Sequence, residues 1–533
     1  MARYDFWESI RQSITTQALT VSRPLVYLPW KLAYYIDPDS YLGVNLLAAI
    51  VFWGKAFAFY AILRKMRLVS APQAFLMAIV FFLHPADQGT FLMSAFSRHW
   101  SVFFYLLAIF FMVLASQNPA LPSFIGMGVT VAASAFISEQ GFPLIVITPL
   151  ILLFVNRLTK WQKLLGLFMW YLPLLTYAVR LIPVLFSEKK IYQTGLLASG
   201  VKDDSWFVET ILGNLVAYRR VFIDGWVSVL GNLQWQYAKY LAIALIAGLF
   251  IGLVVYLLSR IKGEAEHPFH FWAVLGAGIL IIGLGFFPYS ITSYRYKDYR
   301  VFYFSAIGGA LIIGMLYARL RHYLPAGYKN IASGLLWGVT IAVVLVNGFV
   351  QHRNYEIRSQ FQQKVLINIV EQAPYIQGGT QIVLMVDPEM KETATRDIID
   401  LAGFPNNMPF KHNRFTWATQ WIYRKDNITA IQCQSFAKCD ISFENTLIFQ
   451  YTEDHGAVLL ENIPGEVNKA GAELYSPYKI IRRYLPFPEL PQKAFDILPS
   501  VARIAPAQWI GKDQTLNDRR VCDKSHAGQC SLV

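Results

Sequence analysis

The chain has 533 residues, of which 55% are hydrophobic and 15% charged, and its formal net charge is +13. The apolar residues gather in runs long enough to cross a bilayer, which excludes an ordinary water-soluble fold for most of residues 43–350. Lys and Arg are scattered through short loops and the ends of apolar runs, so they form no continuous basic stripe for nucleic acid. Composition therefore predicts a polytopic membrane protein without a nucleic-acid partner.

Apolar runs between charged or Pro/Gly-containing breaks predict ten membrane-spanning helices. These cover residues 43–63, 71–84, 100–116, 122–138, 141–155, 164–186, 238–258, 270–288, 301–319 and 331–350. Basic residues cluster in alternate loops, which the positive-inside tendency assigns to the cytoplasm. These clusters are Arg64/Lys65/Arg67, Arg157/Lys160/Lys163, Arg260/Lys262 and Arg319/Arg321/Lys329. Residues 85–99, 187–237, 289–300 and 351–533 are then expected on the outer face of a cytoplasmic or plasma membrane.

The first residues raise a question of topology. Ten spans with an outer C-terminus require an outer N-terminus, yet no signal-peptide pattern precedes Arg23. We therefore expect a further span upstream of Met1. Residues 1–42 would then be an outer juxtamembrane segment of a transmembrane domain that covers residues 1–350.

Residues 351–533 are expected to form an extracytoplasmic α/β domain. Helices are predicted at Asn354–Ala373 and Glu392–Ala402, and strands at Gln381–Val386, Thr446–Tyr451 and Ala457–Leu460. The predicted fold class is thus an all-α polytopic membrane bundle with a C-terminal α/β domain.

All four cysteines lie in this C-terminal region, as Cys433 with Cys439 and Cys522 with Cys530. Outside the cytoplasm an even number is typical of disulfides, and pairing within each couple is the simplest of three connectivities. Unpaired thiols remain an alternative. The spacings match no common zinc site, so no metal is predicted.

Three short polar signatures occur in order on the expected outer face. They are Arg23-Pro24-Leu25, His84-Pro85-Ala86-Asp87-Gln88 and Ser138-Glu139-Gln140-Gly141. Their order and spacing resemble the GT-C superfamily of polyprenyl-phosphate-sugar glycosyltransferases. The greatest likeness is to the protein O-mannosyltransferases (glycosyltransferase family 39) and their bacterial relatives, including the tetratricopeptide-linked enzymes. The motifs cover about residues 20–190, and beyond them the resemblance rests on topology.

The resemblance implies that Asp87 and Asp5 are the catalytic carboxylates. Moving a sugar from a lipid phosphate to a hydroxyl needs a carboxylate that accepts a proton, and Asp87 lies where one apolar run gives way to another. The alternative is that Asp87 is a solvated helix N-cap. Family members carry a further acidic residue before the Arg-Pro-Leu, and only Asp5 and Glu8 precede Arg23 here.

The substrate-binding candidates are mainly cations that would hold the departing phosphate. Arg98 is either a bidentate phosphate ligand or an interfacial arginine whose head snorkels to lipid headgroups. Glu139, at a possible re-entrant turn, is expected to pair with Lys55 in the middle of a span. The full set is Arg23, His84, Arg98, Glu139, Arg295, Lys297 and Arg300.

The leading hypothesis is an inverting hexosyltransferase of GT-C type. Its donor substrate would be a polyprenyl-phosphate hexose and its acceptor a hydroxyl of a protein, glycan or lipid, and the sequence predicts no particular cofactor. Loop 187–237 would supply interfacial helices that lie on membrane lipid. Two alternatives remain: a flippase or transporter of lipid-linked sugars, and a non-catalytic GT-C relative whose outer domain binds a partner.

Overall fold

The computed structural model describes residues 23–37, 42–87, 89, 95–185, 205–231, 237–261, 271–292, 301–386, 412–423, 425–433, 446–452, 456–459, 520–522 and 530–532. The described chain divides into two compact units, the first ending at His352 and the second beginning at Arg353. The first unit is helical. The second contains a small sheet. The predicted helix at Glu392–Ala402 lies outside the described residues.

The helices of the first unit follow the apolar runs of the sequence. They are α1 (Leu28–Ile36), α2 (Leu42–Lys65), α3 (Ala71–Phe82), α4 (Phe96–Gln117), α5 (Leu121–Ile137), α6 (Phe142–Ile147), α7 (Lys160–Leu185), α8 (Trp206–Arg219), α9 (Gly225–Gly231), α10 (Ala238–Ile261), α11 (Phe271–Ser290), α12 (Ser305–Tyr323) and α13 (Ala326–Gln372). Turns of 3-10 helix at Glu139–Gly141 and Thr148–Phe154 flank α6, and a π-helical turn at Arg220–Asp224 joins α8 to α9.

Each of the ten apolar segments predicted from the sequence falls on helical structure, but not all are long enough to cross a bilayer. Among the described residues, five helices have the length and composition of a span: 42–65, 96–117, 238–258, 271–290 and 327–353. A sixth candidate is α5 together with residues 139–154, a pair that is bent by 114° at its break. The helical segments are confirmed, and the ten crossings stay a prediction.

Several of these helices expose apolar side chains over much of their surface. Leu249 on α10 is 70% exposed and Trp272 on α11 is 77% exposed. Water disfavours so large an apolar surface, whereas lipid hydrocarbon accommodates it. The protein is therefore an integral membrane protein.

Glycines bring α10 and α13 into backbone contact. A Cβ atom on Gly248 would lie 2.5 Å from the carbonyl oxygen of Gly338, and one on Gly252 would lie 2.6 Å from that of Gly334. Both helices place their glycines four residues apart, so the two pairs meet in antiparallel register. Close packing of this kind replaces the hydrophobic driving force that lipid does not supply.

The second unit is built on a four-stranded sheet. Its strands are β1 (Gln381–Val386), β2 (Thr429–Cys433), β3 (Thr446–Thr452) and β4 (Gly456–Leu459). The order is β2-β1-β3-β4, with β1 parallel to β2 and β3, and β4 antiparallel to β3. Three of these strands agree with the sequence prediction to within one residue.

Other parts of the second unit differ from the prediction. Helix α14 (His412–Tyr423), strand β2 and the hairpin of β5 (Arg520–Cys522) and β6 (Cys530–Leu532) were not predicted. The predicted span 331–350 and the predicted helix at Asn354–Ala373 are one continuous helix, α13. No Pro or Gly occurs between residues 349 and 372, so nothing interrupts the helix there.

Candidate active site

Polar side chains gather at one end of the first unit. Arg98 and His99 lie in the first turn of α4 at this end. At the opposite end of α4, the Gln117 amide donates to the carbonyl of Lys65, 2.6 Å away. The basic loop that follows Lys65 is therefore about 30 Å from the polar end, given 1.5 Å of rise per helical residue.

Arg23 and Glu139 form a bidentate ion pair at the bend between α5 and α6. The Arg23 Nε and Nη2 groups donate to the two carboxylate oxygens of Glu139. The backbone N–H of Leu25 donates to the carbonyl of Phe136 at 3.0 Å, which holds the Arg23 segment against the end of α5. Burial lowers the pKa of Arg23, but the Glu139 carboxylate outweighs burial and raises it above its ordinary value. The predicted pairing of Glu139 with Lys55 is wrong.

Lys55 has different partners. It lies about midway along α2, is 1% exposed, and its Nζ is 3.2 Å from Nδ1 of His99. The rings of Phe52 and Phe81 each lie 5.4 Å from the ammonium. The Asp87 carboxylate is close enough to interact with it electrostatically. A lysine buried within a span needs such partners, and here a histidine, a carboxylate and aromatic faces supply them.

Asp87 lies in a tight turn that follows α3. Its N–H donates to the carbonyl of His84 at 2.9 Å, and its Oδ1 accepts from the N–H of Gly89 at 3.1 Å. Asp87 is only 3% exposed. The carboxylate is therefore buried in the bundle and is not solvated, although its bond from the Gly89 N–H is of the kind that a helix N-cap makes.

His84 fixes the turn that carries Asp87. Its Nδ1 accepts from the N–H of Ala86 at 3.2 Å, and its ring meets the indole of Trp226 edge to face with centroids 5.8 Å apart. Because Nδ1 accepts this hydrogen bond it carries no proton, so the imidazole is neutral and its proton is on Nε2. This nitrogen faces Gly309, where an added Cβ would lie 2.5 Å from it. His84 thus supplies no cation for a phosphate.

Arg98 lies between the Arg23–Glu139 ion pair and the Lys55–His99 contact. Its guanidinium interacts electrostatically with Glu139, with His99 and with the hydroxyl of Tyr303. The Tyr303 and Tyr289 hydroxyls are 2.9 Å apart. Both hydroxyls are buried, and either of them can donate the hydrogen bond that joins them. Sequence reasoning missed both tyrosines, because tyrosine is common at membrane interfaces for other reasons.

Three further buried side chains keep unused hydrogen-bonding atoms at or near the cluster. Gln351 on α13 lies next to Asp87, with its Nε2 3.4 Å from the Asp87 carbonyl oxygen. Its Oε1, the Ser138 hydroxyl and Oε1 of Gln140 have no hydrogen-bond partner within the part of the chain that the structure describes. Buried polar atoms in this state are costly, and a polar ligand would satisfy them. Gln351 also escaped the sequence analysis, since it follows a plain apolar span.

The π-turn between α8 and α9 packs directly on the Asp87 turn. A Cβ atom on Gly225 would lie 2.8 Å from the backbone nitrogen of Ala86 and 2.9 Å from the carbonyl carbon of Pro85. Helix α8 in turn rests on α11, where the Tyr218 hydroxyl donates to the carbonyl of Ile279 at 3.1 Å. Loop 187–237 contains helices as expected, and they form part of the wall of the site, while their position at the membrane interface stays a prediction.

The remaining predicted site residues, Asp5, Arg295, Lys297 and Arg300, lie outside the described residues. Within those that are described, no group of three or more His, Cys, Asp or Glu side chains has a metal-binding arrangement. The structure therefore brings together Arg23, His84, Asp87, Arg98 and Glu139 from the predicted set. It adds Lys55, His99, Tyr289, Tyr303 and Gln351.

Comparison with protein-family models, curated proteins and solved structures finds no match to this chain. The class is thus defined by physical features alone: a helical integral membrane protein with a small sheet-containing unit. Its first unit carries a buried cluster of opposite charges at one end.

Proposed function

We propose that this protein is an inverting GT-C-type glycosyltransferase that moves a hexose from a polyprenyl-phosphate donor to a hydroxyl of a protein, glycan or lipid. The observation that carries the proposal is the buried Asp87 carboxylate, held in its turn by Gly89 and interacting with the cation Lys55, whose partner His99 also interacts with Arg98. The motif resemblance of residues 20–190 adds to it. A charged group buried in a membrane protein is costly to keep and is typical of a functional site.

The proposed reaction uses two kinds of group from this cluster. Asp87 accepts the proton of the acceptor hydroxyl. At the same time the oxygen of that hydroxyl attacks the anomeric carbon of the hexose, from the face opposite the phosphate. The bond from that carbon to the phosphate oxygen breaks, and the electron pair leaves with the polyprenyl phosphate. Arg98 offsets the negative charge that develops there, and the Tyr303 hydroxyl can donate a hydrogen bond to the same oxygens.

The neutral His84 and the paired Arg23 have other tasks in this proposal. His84 holds the turn of Asp87 through the Ala86 N–H. Arg23 is engaged with Glu139 through both carboxylate oxygens, so its charge is largely compensated. Among the residues that the structure describes, Arg98 is therefore the best candidate for a ligand of the donor phosphate. The sequence adds Arg295, Lys297 and Arg300 as further candidates.

We place the polar end of the first unit at the outer membrane face of a multi-pass protein, with the second unit extracytoplasmic. The basic loop after Lys65 lies at the other end of α4, as the positive-inside tendency requires for a cytoplasmic loop. Cys433 in the second unit is disulfide-bonded. Disulfides persist in oxidising compartments, which supports an outer location for this unit.

The test is hexose transfer by the membrane-extracted protein supplied with a panel of polyprenyl-phosphate sugars. Asp87→Asn keeps the shape of the side chain and removes its basicity, so we expect transfer to fall by about 10²-fold or more. Asp426→Asn, at an exposed position of the second unit, is the matched control and should keep wild-type activity. Full activity of the Asp87→Asn protein would refute the assignment.

A transporter of lipid-linked sugars is the second candidate, and the depth of Lys55 favours it. Charges near the middle of a span are common along permeation paths, and Lys55 lies about midway along α2. The two functions differ in the fate of the donor. A transferase releases polyprenyl phosphate, whereas a transporter moves the intact donor between the leaflets of a proteoliposome.

A further inference from the structure

Gln351 lies near the end of the span part of α13, against the turn that carries Asp87. It is 1% exposed. About one turn earlier in the same helix, a Cβ atom on Gly348 would lie 3.3 Å from Cδ2 of Leu83, so α13 packs closely on the end of α3. The Gln351 Nε2 atom is 3.4 Å from the carbonyl oxygen of Asp87. The packing of two helices therefore holds this amide beside the proposed base.

The contact with Asp87 fixes which way round the Gln351 amide lies. A carbonyl oxygen only accepts hydrogen bonds, so the amide nitrogen faces it and the amide oxygen points away from it. This oxygen, Oε1, is buried and has no hydrogen-bond partner among the residues that the structure describes. Buried acceptors in native proteins are nearly always satisfied, which indicates that a ligand supplies the missing donor.

An unused acceptor selects for a particular chemistry in its ligand. An amide oxygen binds O–H or N–H groups and repels the oxygens of a phosphate or a carboxylate. The phosphate of a lipid-linked donor therefore binds elsewhere, and Gln351 contacts a part of the substrate that carries hydrogen-bond donors.

Two parts of the proposed substrates carry hydroxyls. The acceptor hydroxyl gives its only proton to Asp87, so this proton is not available to Gln351. The hexose has several hydroxyls that take no part in the reaction and keep their protons. Resting on the proposed function, we propose that Gln351 is a specificity-determining residue: its Oε1 accepts a hydrogen bond from a hexose hydroxyl of the polyprenyl-phosphate donor.

The test measures binding rather than transfer, with the full-length protein in lipid nanodiscs. The probes are polyprenyl-phosphate mannose and polyprenyl-phosphate glucose, and polyprenyl phosphate is the sugar-free probe. Gln351→Met keeps the length of the side chain and removes the amide. We expect its affinity for the better-bound sugar lipid to fall about 3- to 10-fold, the contribution of one hydrogen bond, and its affinity for polyprenyl phosphate to stay unchanged.

Gln117→Met is the matched control. The Gln117 amide also donates from Nε2 to a backbone carbonyl, that of Lys65, but it is exposed and lies at the opposite end of α4. This variant should bind all three lipids as the wild type does. Wild-type affinity of Gln351→Met for both sugar lipids would overturn the inference. An equal loss for the sugar-free lipid would also overturn it, because Gln351 would then act only by holding the turn of Asp87.

Monodeoxy versions of the better-bound sugar lipid give a second measurement on the wild type itself. One of them should bind about 3- to 10-fold more weakly than the parent lipid. Gln351→Met should not distinguish these two lipids, because both changes remove the same hydrogen bond. If Gln351→Met does not fold, Gln351→Asn takes its place, since the shorter side chain stays polar while its oxygen is withdrawn. Equal binding of the parent and every deoxy lipid by the wild type would contradict the proposal.

The proposed function and this inference fail in different ways. A wild type that binds a sugar lipid through Gln351 but transfers no hexose would refute the transferase and leave the hexose site standing. Hexose transfer by the wild type, with lipid affinities that Gln351→Met does not change, would refute the hexose site alone. A wild type that binds neither sugar lipid would refute both.

Discussion

Two cations, Arg23 and Lys55, are each a possible partner of the Glu139 carboxylate. A lysine in the middle of a span needs a carboxylate, and Glu139 is the partner that the sequence predicts for Lys55. The structure gives Glu139 to Arg23, which is brought to the α5–α6 bend by the backbone bond from Leu25 to Phe136. A planar guanidinium binds both carboxylate oxygens at once, and an ammonium does not.

This ion pair gives a stability prediction. Arg23→Ala should destabilise the protein by about 2 kcal/mol, which is less than the ~3–5 kcal/mol of a fully buried pair. The reason is that the two side chains are 19% and 26% exposed. Thermal unfolding in detergent micelles measures the loss, and exchange of the two residues, Arg23→Glu with Glu139→Arg, should recover part of it.

The control is Arg219→Ala. Arg219 is 70% exposed, and its partner Asp224 keeps a second cation in Arg220. We expect less than about 1 kcal/mol of destabilisation there. Equal losses at Arg23 and Arg219 would contradict the view that the Arg23–Glu139 pair stabilises the bend.

At the scale of elements, the segment from α8 to α9 is a structural wall of the site. Composition predicts interfacial helices in loop 187–237, from its mixture of aromatic and charged residues. The structure adds the contact of Gly225 with the backbone of Pro85 and Ala86. This contact lies between segments about 140 residues apart in the sequence, and no local pattern encodes it.

Gly225→Val is therefore expected to displace the turn that carries Asp87. A valine side chain would overlap backbone atoms, which cannot give way as a flexible side chain can, so we expect about 1–3 kcal/mol of destabilisation together with loss of transfer. Gly276→Val is the matched control, because a Cβ there meets nothing within 4 Å. A Gly225→Val protein with the stability of the control would show that the contact is unimportant.

At the scale of the whole molecule, a helical unit and a sheet-containing unit share one chain, and only the second contains cysteine. Cys433 at the end of β2 is disulfide-bonded. From the sequence we expect Cys439 as its partner. Non-reducing peptide mapping by mass spectrometry tests the pairing, and a Cys433–Cys522 or Cys433–Cys530 linkage would contradict it.

Reduction should then act on one unit. We expect the second unit to lose about 2–4 kcal/mol of stability when the bond is reduced, and the helical unit to be unaffected. Limited proteolysis with and without reductant measures both. Cys433→Ser should reproduce the effect of reductant, and a Cys433→Ser protein that resists protease as the wild type does would refute the prediction.

The sequence predicts the elements that depend on local apolar patterns, and it does not predict those that depend on contacts between distant parts of the chain. The helical segments of the first unit and strand β1 could be located from hydropathy, because each is a continuous apolar stretch with its own breaks. Helix α14 and strand β2 escaped. The helix buries Phe415, Thr419 and Ile422 along one face, but the threonine in this stripe and the exposed Trp417 blur the apolar pattern. Strand β2 is short and gains its place by pairing with β1.

For the site, the sequence by itself determined which residue types are present and that several of them fall at breaks between apolar runs. Only the tertiary structure decided their partners: Arg23 with Glu139, Lys55 with His99 and Asp87, and Tyr289 with Tyr303. The physical reason is that burial forces each charge to find a partner in space, whereas hydropathy reports only where the chain enters and leaves the apolar interior.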